Sequence, residues 1–162
     1  MVATITRQDV EQELARRDFA YYCEYVHGRP LYPHQQVWAK EIDKLEARTL
    51  IVAPPGSYKS TLCTYYIEWR IGRDTDFTTL YLMNTAAQAM RQVASIADTI
   101  EFNERYHEVF PGVSPDKPRG WSHESLYVTR KDTNNPYATV YGTGIDGPYQ
   151  GVHVDAIFID DP

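Results

Sequence analysis

The segment APPGSYKS, residues 53–60, has the residue types and position of a phosphate-binding loop. It follows a short apolar run and precedes a helical pattern, and the free N–H groups at a helix N-terminus cradle phosphate oxygens. Of the motif GxxxxGK[ST] it keeps Lys59 and Ser60, while Ala53 and Tyr58 replace the glycines. Lys59 would bridge the β- and γ-phosphates of a nucleotide and Ser60 would ligate Mg²⁺. Alternatively, Lys59 and Ser60 only begin a helix after a Pro-Pro-Gly turn.

Two adjacent carboxylates end a second apolar run, AIFIDD, at residues 156–161. Asp160 is placed to hold Mg²⁺ through the Ser60 hydroxyl and water, and Asp161 to polarise an attacking water. At the second of these two positions a glutamate is commoner, and its longer side chain reaches further than that of Asp161. The alternative is a strand whose aspartates cap the next element.

A metal-dependent nuclease is a second chemical possibility, because carboxylates can hold two cations for phosphodiester cleavage. Its candidate ligands would be His153, Asp155, Asp160 and Asp161. Asp155 and Asp160 are five residues apart on one strand, so we expect them to point to opposite faces. This spacing disfavours the nuclease.

The segment LYPHQQVW, residues 31–38, places glutamines at the start of a predicted helix. An amide can donate to adenine N7 and accept from the 6-amino group, which would select ATP. We favour Gln35 over Gln36 for this role. The alternative is a solvated glutamine at a helix N-terminus.

Composition limits the remaining possibilities. With 162 residues, 43% of them hydrophobic, the chain has room for one globular domain. Its net charge of −6 excludes an overall basic field for coating nucleic acid. Only Cys23 and Cys63 are present, which disfavours a disulfide framework or a zinc site. No apolar run has the length of a membrane span or a signal peptide, so we expect a cytosolic protein.

Periodicity predicts two helices before the phosphate-loop segment. The first is expected from Thr6, with Asp9 completing a capping box, to Gly28. Its apolar stripe is Ala15, Phe19, Tyr22 and Val26. Pro33 suits the first turn of the second helix, whose buried face is predicted to carry Trp38, Ile42 and Leu45.

After these helices, strand and helix patterns alternate, which predicts an α/β fold with a mostly parallel sheet. The run TLIVA, residues 49–53, is predicted to be a strand buried on both faces. The other predicted elements are a helix from Lys59 to about Gly72, a strand at 78–84, a helix from Ala86, and strands at 125–129, 138–142 and 156–159.

Seven segments in this order resemble the large terminase subunit of tailed bacteriophages, the ATP-driven motor that packages DNA. The segments are DFAYYCEYV, LYPHQ, APPGSYKST, TLYLMNTAAQA, GWSHESLYVTR, ATVYGTG and GVHVDAIFIDDP. The resemblance implies a P-loop NTPase of the additional-strand class that uses ATP and Mg²⁺. It also implies double-stranded DNA, a portal protein and a small terminase subunit as partners, and a ring of subunits in the host cytoplasm.

The resemblance gives each motif residue a role. Lys59 and Asp161 are the expected catalytic residues, and Ser60 and Asp160 the expected metal ligands. The implied nucleotide-binding residues are Gln35, Pro54, Pro55, Gly56, Ser57, Tyr58, Lys59, Ser60 and Thr61.

The chain departs from the family in two respects. Many members carry an arginine in the phosphate loop, but residues 49–69 contain none, so Arg119, Arg130 or a neighbouring subunit would have to supply the arginine finger. The family also continues past this point into further strands and a nuclease domain. We therefore expect residues 1–48 to be a helical segment with the adenine motif and 49–162 to be an incomplete ATPase core. A fragment that binds partners or nucleotide without turnover is the alternative.

Overall fold

The computed structural model describes residues 5–44 and 48–162. They form an α/β fold in which helices flank a four-stranded mixed sheet. The expected α/β class is therefore confirmed. None of the helices in the described ranges is both long and apolar enough to cross a membrane.

The predicted first helix is two helices, α1 (Arg7–Arg17) and α2 (Phe19–His27). The Thr6 capping box is confirmed, and the predicted apolar stripe is buried as expected. Asp18 is in an extended conformation and ends α1. Its side chain accepts a hydrogen bond from the Tyr21 N–H at 2.7 Å, so it also caps α2.

The second predicted helix is confirmed as α3 (Pro33–Asp43), which begins at the expected proline. Trp38 and Ile42 are half-buried and pack against the core. The third residue of the predicted face, Leu45, lies outside the described residues.

The predicted buried strand at residues 49–53 is wrong for this structure. The segment has no strand partner among the described residues. Leu50 is 88% exposed and Val52 is 86% exposed. An apolar run of this length suggests burial only if a neighbouring strand covers it, and in this structure none does.

The chain then forms α4 (Lys59–Arg73), which is buried along most of its length as expected. Trp69 of α4 packs on Phe19 and donates a hydrogen bond to the Ala15 carbonyl at 3.0 Å. These contacts tie α4 to both N-terminal helices.

The predicted helix from Ala86 is confirmed as α5 (Ala86–Phe102). The sequence did not predict the short α6 (Glu104–Val109) that follows it. Tyr106 of α6 is buried and donates a hydrogen bond to the Glu68 carbonyl at 3.0 Å, which anchors α6 on α4.

The four strands occur close to where the sequence predicted them. They are β1 (Thr79–Met83), β2 (Ser125–Leu126), β3 (Val140–Gly144) and β4 (Ala156–Ile159). β1 and β2 are shorter than predicted, and β3 begins two residues later. Their order across the sheet is β2-β3-β1-β4. β1 pairs in parallel with β3 and with β4, whereas β2 is antiparallel to β3.

β4 lies at one edge of this sheet. Ala156 and Phe158 pack against the core, whereas Ile157 and Ile159 are more than half exposed. Among the described residues only β1 pairs with β4. An edge strand with exposed apolar side chains and an unpaired ladder can accept a further strand.

Because β1 and β4 are parallel, their carboxyl ends meet at the same edge of the sheet. Asp160 donates its N–H to the Leu82 carbonyl at 2.9 Å, and Asn84 donates to the Asp161 carbonyl at 3.2 Å. In an open α/β sheet, ligands bind outside this carboxyl edge.

Candidate functional site

The predicted phosphate loop turns sharply between residue 53 and α4. The Ser57 N–H lies 3.4 Å from the Pro54 carbonyl, while Gly56 has a φ of 79°. Pro54, Pro55 and Gly56 are exposed. A left-handed φ favours glycine at position 56, which explains why the turn reads Pro-Pro-Gly.

Tyr58 also adopts a left-handed conformation, with a φ of 61° and a ψ of 32°, and it caps α4. This position is where the GxxxxGK[ST] motif has its second glycine. A non-glycine residue in this region of φ/ψ space costs about 1–2 kcal/mol. The loop thus keeps the backbone geometry typical of glycine with a bulky aromatic side chain.

Lys59 and Asp161, the two expected catalytic residues, are in contact. The Lys59 ammonium lies 3.2 Å from an Asp161 carboxylate oxygen and 3.4 Å from the Ala53 carbonyl. The Lys59 side chain is 19% exposed and that of Asp161 is 64% exposed. The first residue of α4 and the second carboxylate after β4 therefore share one site.

Asp160 is buried beside Asp161. It accepts a hydrogen bond from the Tyr81 hydroxyl at 2.9 Å. Burial, followed by the nearby Cys63 and Asp160, raises the pKa of Tyr81, so its hydroxyl stays a proton donor. Tyr81 therefore fixes one Asp160 oxygen in position.

Cys63 lies one turn along α4 from Lys59 and close to Asp160. Burial and the Asp160 charge raise the pKa of the Cys63 thiol to about 12. A thiol with this pKa is not a nucleophile at neutral pH. Cys23 and Cys63 are both free thiols and lie in α2 and α4.

A cavity of about 300 Å³ adjoins the loop. This volume is at the lower end of the range for small-molecule sites. Its lining includes Tyr32, Gln35, Tyr58, Thr61 and Tyr65. The expected adenine residue and the phosphate loop therefore meet at one concave surface.

Gln35 is only 5% exposed, which contradicts the alternative of a solvated glutamine. Its carbonyl oxygen accepts a hydrogen bond from the Tyr32 N–H at 3.0 Å. Gln36 instead lies exposed and donates to the Leu31 carbonyl. The structure therefore favours Gln35 as the glutamine that faces the cavity.

A test of fit for a bound phosphate comes from the loop itself. The Ser57 hydroxyl is buried and has no hydrogen-bond partner among the described residues. Such an orphan group is rare and calls for an explanation.

Ser60 and Thr61 are half-buried in the first turn of α4. Hydroxyls and carboxylates are hard oxygen donors, so Ser60 and Asp160 suit Mg²⁺ chemically.

Neither candidate arginine finger lies at this site. Arg130 is buried and donates to the Tyr137 carbonyl and the Thr139 hydroxyl, at 2.6 and 2.9 Å. Arg119 donates to the Asn135 carbonyl at 2.6 Å. Thr139 precedes β3, so Arg130 lies at the amino edge of the parallel strands, opposite Asp160. Burial, with Arg119 nearby, lowers the pKa of the Arg130 guanidinium.

The candidate nuclease residues are not brought together. Asp155 precedes β4 and accepts hydrogen bonds from the Thr78 N–H and hydroxyl, at 2.8 and 2.9 Å. Asp160 follows the same strand, and His153 packs on the Tyr137 ring. In the part of the chain that the structure describes, no group of three His, Cys, Asp or Glu side chains could hold a metal ion.

Thr85, which follows β1, acts as the N-cap of α5. Its hydroxyl accepts from the Gln88 N–H at 3.3 Å, and its own N–H donates to the side-chain oxygen of Gln88 at 3.1 Å. This capping box explains Thr85 locally. The neighbouring Asn84 is exposed.

Sequence reasoning missed a buried hydrogen-bonded pair, His27 and Glu68, behind the cavity. The His27 Nε2 lies 2.8 Å from an oxygen of Glu68, which is fully buried. The His27 ring stacks on Tyr65, with centroids 3.6 Å apart, and Tyr65 lines the cavity. The sequence did contain a signal for this contact. Glu68 is a glutamate within a helix that is otherwise apolar on most sides and was predicted to be buried.

Comparisons with known proteins give no further information. No protein-family model, curated protein or solved structure matches this chain.

Proposed function

We propose that this chain binds Mg-ATP at the loop of residues 53–61 and hydrolyses it, as the ATPase part of a DNA-packaging motor. The observation that carries the proposal is the 3.2 Å contact between Lys59 and Asp161. The two residues come from motifs far apart in the chain. A phosphate-loop lysine and a carboxylate able to position water, brought to one site, support this proposal because P-loop NTPases use both groups.

The proposed chemistry depends first on two charged residues, Lys59 and Asp161. Lys59 would release Asp161 and bind the β- and γ-phosphates, assisted by N–H groups at the start of α4. The freed Asp161 carboxylate, which is well exposed, would then orient the attacking water and accept its proton. Tyr81 holds Asp160 in place throughout.

Ser60 and Asp160 are the residues that would hold Mg²⁺. The ion would neutralise charge on the phosphate oxygens. This proposal assigns hydroxyl and carboxylate oxygens to a hard cation, in agreement with its preference.

The motor role is supported by the resemblance of the seven segments to large terminase subunits. We propose the partners that this resemblance implies: double-stranded DNA, a portal protein and a small terminase subunit, in the host cytoplasm. The net charge of −6 means that contact with DNA would be local. A ring of subunits is part of the proposal, because neither Arg119 nor Arg130 lies at the loop and a neighbouring subunit can supply the arginine.

The direct test is to measure by calorimetry how tightly the variant Lys59→Ala binds Mg-ATP. Charge-assisted hydrogen bonds contribute about 1.5–3 kcal/mol each, so we expect roughly 10- to 150-fold weaker binding. Lys40→Ala is the matched control, since Lys40 is an exposed lysine on α3. Equal affinities of the parent and Lys59→Ala would refute the P-loop assignment.

A second candidate is a chain that binds nucleotide without turning it over. The distance of both arginines from the loop favours it, because an arginine finger contributes about 10³–10⁵ in rate. Single-turnover hydrolysis separates the two candidates. Hydrolysis that is lost in Asp161→Asn while ATP binding persists supports the ATPase, and no hydrolysis by the parent supports the binding protein.

A further inference from the structure

The side chain of Tyr58 is the least expected feature of the loop. Its backbone is held in a left-handed conformation that glycine would adopt without strain. The side chain is 49% exposed, so packing in the core does not explain why a large ring stands here. Strained residues persist where the surrounding structure holds them, and they cluster at ligand sites.

The ring of Tyr58 faces another aromatic ring across the cavity. The centroids of Tyr58 and Tyr32 are 6.1 Å apart and their planes are inclined by 22°. Both side chains line the same cavity as Gln35. Two nearly parallel rings that sandwich a planar base need a separation of about 6.8 Å, twice the ~3.4 Å spacing of stacked bases. The observed centroid distance is shorter than this, so the two rings would have to move apart by roughly 1 Å to admit a base.

The polar group beside these rings is suited to the edge of a base. Gln35 uses its carbonyl oxygen to hold the Tyr32 N–H. The hydrogen bond of the Gln35 side chain is made by this oxygen, and its amide NH₂ is not among the buried groups that lack a partner, so the NH₂ is open to the cavity. An amide with an accessible donor, next to two aromatic faces, matches the way proteins recognise an unstacked base.

We propose that Tyr58 is a base-stacking residue: the phosphate loop itself supplies the ring against which the adenine of the bound nucleotide packs, opposite Tyr32. This inference rests on the nucleotide site proposed above and adds a specificity-determining residue to it. The loop would then contact both ends of the ligand, with Lys59 at the phosphates and Tyr58 at the base. Tyr58 has a left-handed backbone and its side chain is part of the cavity lining.

The test compares two probes, Mg-ATP and inorganic tripolyphosphate, which carries the phosphates without a base. Affinities are measured for the parent, Tyr58→Ala, Tyr58→Gly and Tyr58→Phe. Loss of stacking on one ring weakens base binding by roughly 5- to 150-fold. We expect this loss for ATP in both ring-deleted variants, with tripolyphosphate binding unchanged, and substantial recovery of ATP affinity in Tyr58→Phe.

Three results would overturn the inference. The first is ATP affinity in Tyr58→Ala equal to that of the parent. The second is an equal loss for both probes, and the third is a loss in Tyr58→Ala that Tyr58→Gly restores, since either of these would mean that residue 58 acts through loop conformation. Phe102→Ala, which removes an exposed ring on α5 outside the cavity, is the control.

The failure of the proposed function has a different signature. If the phosphate site is wrong, the parent binds neither probe, or Lys59→Ala binds both as the parent does. If only the role of Tyr58 is wrong, Lys59→Ala loses affinity for both probes while the Tyr58 variants keep the parent's preference for ATP over tripolyphosphate.

Discussion

The buried pair of His27 and Glu68 gives a prediction about stability that can be worked out from the structure. Glu68 is 0% exposed, and one of its oxygens accepts hydrogen bonds from the Tyr22 hydroxyl at 3.1 Å and binds the His27 ring nitrogen at 2.8 Å. Replacing His27 by alanine leaves a carboxyl group inside the core that keeps its hydrogen bonds with Tyr22 and Thr99 but loses the imidazole. Removing one hydrogen-bond partner of a buried polar group destabilises a protein by about 1–3 kcal/mol. We expect a loss of this size for His27→Ala at pH 7.

The loss should depend on pH, with a sign fixed by Glu68. Burial raises the pKa of Glu68 above its usual value of 4.5, and His27 opposes that rise. His27→Ala therefore raises this pKa further. A carboxyl group whose folded-state pKa is raised favours folding below its unfolded pKa, and that stability is lost as the pH rises through the folded pKa. When the pH rises from 5 to 7, the free energy of unfolding of His27→Ala should thus fall by more than that of the parent.

The assay is urea unfolding at pH 5 and pH 7. The double variant His27→Ala/Glu68→Gln should lose the extra pH dependence, because glutamine does not ionise. His123→Ala is the control, as His123 is exposed. A loss below about 1 kcal/mol for His27→Ala at pH 7, or the same loss at both pH values, would refute the reasoning.

Three further substitutions test local features. Tyr58→Gly should be more stable than Tyr58→Ala by about 1 kcal/mol in urea melts, because only glycine relieves the left-handed backbone; equal stabilities would contradict the assigned φ. Gly72→Ala should lower the unfolding free energy by about 1–3 kcal/mol, since its added carbon would lie 2.3 Å from the Phe110 ring; a neutral change would show that Phe110 moves aside. Leu50→Ser should change it by less than about 0.5 kcal/mol, as its side chain is exposed, whereas a loss above 2 kcal/mol would mean that residues 49–53 are buried after all.

The sequence predicted elements well where one local signal decided them. Pro33 and the Thr6 capping box begin helices where they were expected, and β1 and β4 fall on their apolar runs. The helix break at Asp18 was not predicted, because the apolar residues on either side of it keep nearly the same helical spacing. A single side chain that caps a new helix can break a backbone without disturbing the periodicity of its buried face.

Contacts between distant segments were harder to predict. The pairing of His27 with Glu68 joins α2 to α4, and no local pattern shows that two polar residues on different helices will meet. The meeting of Lys59 and Asp161 was expected from the two motifs that carry them, and the structure brings them into contact. The strand that was expected to lead to Lys59 does not form, so the contact does not depend on that strand pairing in the sheet.

The segment 49–53 shows the limit of reasoning from an apolar run. Its hydrophobicity indicates a strand that is covered on both faces, yet Leu50 and Val52 are exposed. On β4, the exposed Ile157 and Ile159 show the same mismatch between residue type and environment. Burial needs a partner as well as an apolar side chain, and hydrogen bonding along a strand needs a neighbour to supply the ladder. Both apolar surfaces adjoin elements that carry the candidate site, since β4 leads to Asp160 and residues 49–53 lead to the phosphate loop. Any strand that paired with β4 would therefore act directly on the position of the two carboxylates.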